Sequence, residues 1–180
     1  MDQKEIAKFY RSTIGLERER TISLLTENTR FIHFRPEDHL QVAGAPLKKI
    51  LFHLNGVARA YVTDDAGNET VLGFCYKPGF PCTGALDLET VNNYVEAVTE
   101  MDCLELSIEA LNHVMNQDPQ IVTFVQRFMA EDHEADYQWQ LAIKTKFGED
   151  RYKWFLETYP FLVGIVSQKD IASYLNLRPQ

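Results

Sequence analysis

The sequence predicts an α+β fold: a double-stranded antiparallel β-roll of jelly-roll type, with helices before it, one long helix after it and two short helices at the end. Three observations predict this. The spacing of apolar residues is helical through Glu27, alternates from Arg30 onward, and becomes helical again after Ser107. From Gln120 to Lys146 one apolar stripe continues through about 27 residues with no Gly or Pro to break it. The segment 149–180 then holds two helical patterns separated by Pro160.

The elements follow in order. Residues 2–12 and 16–27 read as two short helices, with Ile6, Phe9 and Tyr10 on one apolar face and Ile22, Leu24 and Leu25 on another. RFIHFRPEDHLQVAG alternates and is broken at Pro36. In KKILFHLNGVARAYVTDDAGNETVLGFCYKPG, Asn55-Gly56 marks a turn or bulge, and Asp64-Asp65-Ala66-Gly67 is a hairpin turn between β-branched and aromatic runs. NNYVEAVTEMDCLELS adds two more strands. Short strands at this spacing build an antiparallel sandwich or barrel. IEALNHVMNQDP then forms a short helix ending near Pro119.

In the long helix, Ile121, Val125, Phe128, Ala135, Trp139 and Ala142 recur three or four residues apart, or at a doubled interval across Asp132. Near-heptad spacing is that of a helix pair, so the stripe reads as a dimer seam. A single helix lying on its own sheet would carry the same stripe. The Asp, Glu and His residues on its flank need water and favour the dimer.

Residues 149–180 read EDRYKWFLETYPFLVGIVSQKDIASYLNLRPQ. The first helix places Tyr152, Phe155, Leu156 and Tyr159 on one face and stops at Pro160. The second starts at Ser167, whose hydroxyl can cap the Asp170 N–H while Asp170 returns the bond. Val166 and Ile171 are spaced as a hydrophobic staple. Asn176 tolerates the left-handed turn that ends the helix, Leu177 would plug the corner, and Pro179 suits the first position of another helix. Helix, tight turn, helix start is the first half of a helix-turn-helix, whose next helix enters the major groove of DNA. A plain helical hairpin fits the pattern equally. The motif runs out at Gln180, one residue into that next helix, and Ile171 and Leu175 would need covering. The natural chain is therefore expected to continue past Gln180.

Taken whole, a net charge of −8 argues against nucleic-acid binding, because phosphate contacts need Lys and Arg. The distribution differs. Residues 1–143 carry 12 basic and 22 acidic side chains, net −10, whereas residues 144–180 carry 6 and 4, net +2. Only the C-terminal piece could approach DNA without strong repulsion. No apolar run approaches the roughly 18 residues of a membrane span, and MDQKEIAKFYRST has no apolar signal core. A cytoplasmic protein with no membrane partner is expected. Cys75, Cys82 and Cys103 are odd in number and not at metal-type spacing, which fits free thiols in a reducing compartment.

ILFHLNGVARAYVTDDAGNETVL, DRYKWFLETYP and SQKDIASYLNLRP, in this order around a long helix, resemble the Crp/Fnr family of bacterial transcription regulators. The resemblance spans essentially the whole chain. It implies a cyclic-nucleotide-binding-like effector β-roll over residues 1–118, a dimerisation helix over 119–146 and an incomplete helix-turn-helix DNA-binding domain over 147–180. It implies a homodimer that binds operator DNA, with RNA polymerase as a further partner, and no enzyme activity. Ser167, Gln168 and Lys169 match the start of the helix that touches the DNA backbone in the family, contacts that position a protein without reading sequence. Arg178 and Gln180 match the first residues of the recognition helix, although relatives usually carry Ser or Thr where Arg178 stands.

The family's cyclic-nucleotide members bind the ribose with a Gly-Glu pair and the cyclic phosphate with Arg-Ser or Arg-Thr about ten residues later. The matching segment is PGFPCTGALDLETVNNYVEAV. Gly84 fits the Gly, Ala85 replaces the Glu, the Arg position falls near Val91 or Asn92, and the stretch holds no Arg or Lys. A buried phosphate without a paired guanidinium is costly, so neither cyclic AMP nor cyclic GMP is expected as ligand. The equivalent cavity would be lined by Phe74, Cys82, Thr83, Gly84, Leu86, Asn92, Asn93 and Tyr94. Apolar walls with hydroxyl and amide groups suit a neutral or weakly polar small-molecule effector of unknown identity. A pocket filled by its own side chains is the alternative, and no cofactor is expected.

A different reading is a sensor or scaffold module that binds a protein partner rather than DNA. A cupin-like metal site would need clustered His and Glu, and His33, His39 and His53 are not so spaced. Asp132-His133-Glu134 lies on a helix, where adjacent residues point apart. Cysteines most often serve as small buried hydrophobes, and residues 1–74 contain none to hold an iron–sulfur cluster. No nucleophile motif or phosphate-binding loop is present, so catalysis is not expected.

Overall fold

The N-terminal helices pack on one sheet of a two-sheet roll. Asp2 opens α1 (Gln3–Phe9): its carboxylate accepts the Glu5 N–H, and Glu5 accepts the Asp2 N–H in return. A π-helical turn, Tyr10–Ile14, ends at Gly15, and α2 spans Glu19–Glu27. In this computed structural model, which describes residues 1–83 and 90–177, seven strands follow. They are β1 (Thr29–Phe34), β2 (His39–Gln41), β3 (Lys49–Asn55), β4 (Ala58–Thr63), β5 (Glu69–Cys75), β6 (Tyr94–Ala97) and β7 (Met101–Ser107). The two antiparallel sheets have the orders β1-β7-β3 and β2-β6-β4-β5. The predicted antiparallel roll is thus two facing sheets rather than a closed barrel.

The middle of β3 is buried on both faces because it lies between two cores. Ile50 and Phe52 point with Leu104 and Leu106 toward the N-terminal helices. Leu51 points with Met101 and Cys103 between the sheets, against Leu40, Val95 and Ala97. The predicted turns form. Gly56 follows β3 with φ +85°, and Asp64 accepts the Ala66 and Asn68 N–H groups beside Gly67, at φ +81°. A Cβ on Gly56 would lie 2.4 Å from the Glu100 carbonyl oxygen. Gly56→Ala combines that overlap with a left-handed backbone and is expected to cost roughly 2–3 kcal/mol, read from a urea midpoint shift at unchanged slope.

Ser107 caps α3 (Ile108–Met115), and Asp118 caps α4 (Pro119–Thr145), close to the limits predicted from the sequence. Most of the stripe on α4 that reads as a dimer seam packs within the chain, while its Ala135 is exposed. Ile121, Val125 and Ala142 are buried within the chain, Phe128 meets Phe80, and Trp139 donates its indole N–H to the Tyr174 carbonyl. The outward face carries Met129, Tyr137 and Leu141, which are 62%, 54% and 43% exposed.

α5 (Gly148–Thr158), a 3₁₀ turn (Pro160–Leu162) and α6 (Gln168–Tyr174) close the described chain. They bury Phe155, Leu162, Val166, Ile171 and Leu175 with Val57 and Val71 of the roll. Asn176 is left-handed at φ +51°, as its position predicts. Arg151 gathers the carbonyls of Ile143, Leu175 and Asn176, joining the ends of α4 and α6.

Candidate effector cleft and DNA-facing helix

A cleft of about 690 Å³ opens where the roll, α4, α5 and α6 meet. The roll contributes Phe74, Tyr76, Phe80 and Cys82, α4 contributes Phe128, Asp132 and Asp136, and Tyr159 and Tyr174 come from the C-terminal helices. Its walls are strongly aromatic. Phe74 meets Tyr174 edge-on at 5.4 Å between centroids, Tyr76 meets Tyr159 at 6.0 Å, and the Tyr159 and Tyr174 hydroxyls are 3.3 Å apart. Partial burial against the cleft wall, followed by the charge of Asp136, pushes the carboxyl of the otherwise exposed Asp132 above the usual carboxylate range. Burial likewise raises both tyrosines, and the Asp136 charge adds to the effect in each.

The residues predicted to line an effector pocket divide into two places. Phe74 and Cys82 line this cleft. Thr83 is turned inward, where its hydroxyl oxygen accepts the Leu51 N–H. Asn93 accepts a bond from the Gln41 side chain, and Tyr94 stacks on Tyr61 at 5.2 Å with Asn92 exposed in the chain before it, at the start of β6, which β4 separates from β5. Gly84 and Leu86 lie outside the described residues. Cys82 is buried at the cleft wall and its thiol is pushed well up by that burial, so it holds little thiolate for redox chemistry. The histidines weighed as metal ligands are apart: His33 bridges Asp102 and Glu100, His39 meets Tyr61, and His53 bonds the Gly56 carbonyl.

Of the residues predicted to face DNA, Ser167, Gln168 and Lys169 are exposed at the start of α6, and Arg178 and Gln180 lie outside the described residues. Ser167 caps α6 by accepting the Asp170 N–H at 3.0 Å. The reciprocal half of the expected capping box is replaced. Asp170 accepts the Ser167 hydroxyl at 2.6 Å, and its other oxygen takes a bond from Arg59 of β4 at 2.9 Å. Arg59 also reaches Glu69 at 2.7 Å and Glu96 at 3.2 Å and lies over the Tyr61 ring. Burial pulls this guanidinium toward losing its proton, but the three carboxylates outweigh that and hold it charged. The Val71 N–H, at the open edge of β5, donates to the Ser173 hydroxyl.

Sequence reasoning missed Arg59 because its partners lie far along the chain. A signal for Asp132 was present: it occupies the skipped position in the inward stripe between Phe128 and Ala135. Nothing local marked Tyr159 and Tyr174 as cleft residues.

No family model matches the chain. In sequence it is 25% identical over 113 residues to the transcriptional activator protein Anr of Pseudomonas aeruginosa, covering 63% of this chain and 46% of that protein. The chain thus spans about half the length of that relative. In structure it is similar to FixK2 from Bradyrhizobium japonicum, with a TM-score of 0.72 and 18% identity over 83% of this chain and 78% of that one. It is also similar to a protein assigned to the Crp/Fnr family of transcriptional regulators from Eubacterium rectale, with a TM-score of 0.73 and 17% identity over 90% of this chain and 78% of that one. The two-sheet roll, the long helix and the docked helical pair are together the Crp/Fnr-like cyclic-nucleotide-binding fold, and the sequence similarity runs to a transcriptional activator.

Proposed function

We propose that this chain is the sensing and dimerising part of a DNA-binding transcription regulator, not an enzyme, and that its effector is a small molecule other than a cyclic nucleotide. One observation carries the reading: the cleft is walled at once by the roll, by α4 and, through Tyr174, by the helix that opens the DNA-reading motif. A ligand bound there bears on all three, which is how a differential affinity for two arrangements becomes a signal. The charges of the cleft argue against a phosphate. Lys77 and Arg127 line it, but Lys77 is paired with Glu131, Arg127 bonds the Ile14 carbonyl, and Glu131, Asp132, Glu134 and Asp136 outnumber them. The division into a roll over residues 1–118, a dimer helix over 119–146 and a DNA-binding part from 147 follows from the same reading. A second copy would cover Met129, Tyr137 and Leu141 on α4, and the complex would work on operator DNA with RNA polymerase in the cytoplasm.

The test is fluorescence anisotropy of the protein, expressed from its own gene, on the DNA upstream of that gene. The expected result is binding by a dimer with log affinity falling by about 0.9 per phosphate contact for each unit of log salt. Cyclic AMP should leave the affinity unchanged. Absent or salt-insensitive binding would overturn the DNA-binding reading and favour a module that binds a protein partner. That second reading draws on Phe161, Val163 and Ile165, which are exposed side by side before α6.

A further inference from the structure

We infer that the cleft takes a small organic cation, an ammonium or amidinium head with N–H donors on an apolar body. The inference rests on the reading of this cleft as the effector site and names the chemistry it selects.

Three features converge. The first is unbalanced charge. Asp132 and Asp136 stand one turn apart on the α4 wall, and among the described residues neither makes an ion pair or a side-chain hydrogen bond. Lys77 and Arg127 also line the cleft, but against four carboxylates, Glu131, Asp132, Glu134 and Asp136; Lys77 pairs with Glu131 and lies over the Phe80 ring, and Arg127 bonds the Ile14 carbonyl and lies over the Phe124 ring, so two carboxylates stay in excess. Like charges at this spacing repel, and an added cation would relieve them.

The second feature is the set of rings across the cleft. Phe74, Tyr76, Tyr159 and Tyr174 crowd together with tilted and edge-on geometry. Aromatic faces attract a cation through their quadrupole, most strongly where water is partly excluded, and their bodies bury an apolar substituent.

The third is His53, which lies on the roll wall of the cleft and is 2% exposed. Its Nε2 lies 2.8 Å from the Gly56 carbonyl oxygen and must donate the proton there, which leaves Nδ1 as a bare acceptor. Nδ1 is buried and has no partner among the described residues. Burial depresses the protonation of this ring and keeps it neutral. A buried acceptor without a donor is costly, and a ligand N–H would supply one once the ring turns slightly toward the cleft. An anion would meet two carboxylates and a lone pair instead. A neutral ligand would leave the carboxylates unbalanced.

The test is isothermal titration calorimetry of the full chain with 2-phenylethylamine, 2-phenylethanol and phenylacetate, matched in size and differing in charge. Trp139, bonded to the Tyr174 carbonyl, gives a second readout by fluorescence. The amine is expected to bind at least about tenfold tighter than the alcohol, with no saturable binding of the anion. Asp132→Asn with Asp136→Asn should abolish that preference; both side chains are exposed on α4, so the variant keeps its fold, as circular dichroism will verify. Equal affinity for amine and alcohol overturns the cation and leaves the cleft as an effector site. A preference that survives the double variant overturns the assignment to these carboxylates. Tighter binding of phenylacetate or cyclic AMP overturns the inference, and no binding of any probe at millimolar concentration overturns both it and the effector reading of the cleft.

Discussion

Arg59→Met should destabilise the chain by about 3–5 kcal/mol, the cost of leaving buried charges without their partner. The Arg59 side chain is 13% exposed, and the three carboxylates it holds are each less than a third exposed. Met preserves much of the apolar stem and its volume, so the loss reports the charge rather than a cavity. Two of the acids, Glu69 and Glu96, belong to the roll, while Asp170 belongs to α6. The variant therefore loosens the C-terminal helices as well as the sheet. Asp170→Asn is the contrasting change. It cuts the link to α6 while leaving Arg59 balanced by two acids, and should cost only about 1–2 kcal/mol. Urea denaturation measures both, and limited proteolysis of residues 147–177 reads the release of α5 and α6. A loss under about 1 kcal/mol for Arg59→Met would mean that water screens the cluster as it screens a surface pair.

Met129→Glu with Tyr137→Glu should turn the proposed dimer into a monomer. Both side chains stand on α4, eight residues apart, and are more than half exposed. Placing two carboxylates from each copy in an apolar seam is expected to weaken association by at least roughly a hundredfold, about 3 kcal/mol. Sedimentation equilibrium measures this directly. Phe128→Ala lies on the inward stripe, against Phe80, and should lower folding stability while leaving association intact. If the double Glu variant stays dimeric, the seam is not on this face of α4.

These two experiments probe the two places where sequence and structure part. The stripe from Ile121 to Ala142 was plain in the sequence, because helical periodicity is local. Its direction was not, because a partner helix and the chain's own roll offer the same apolar chemistry. The candidate pocket was partly readable for a similar reason. Phe74 and Cys82 fell in the cleft, but Asn93 and Tyr94 turned to Gln41 and Tyr61 on another part of the four-stranded sheet. Their position along β6 is set by pairing with β2 and β4, not by their own neighbours.

Local signals along the chain sufficed for the α+β class, the order of helices and strands, the turns at Gly56 and Gly67, the extent of α4 to within a residue at either end, the Ser167 cap and the left-handed stop at Asn176. Each depends on interactions a few residues long: a periodicity, a positive φ or a cap. The tertiary structure alone decided that Asp170 bonds Arg59, 111 residues away, that α6 covers the edge of β5, and that Asp132, His53 and four aromatic rings share one cleft. Those meetings follow from how buried surfaces fit, and buried charges and polar atoms choose partners by distance in space, which spacing along the chain does not encode.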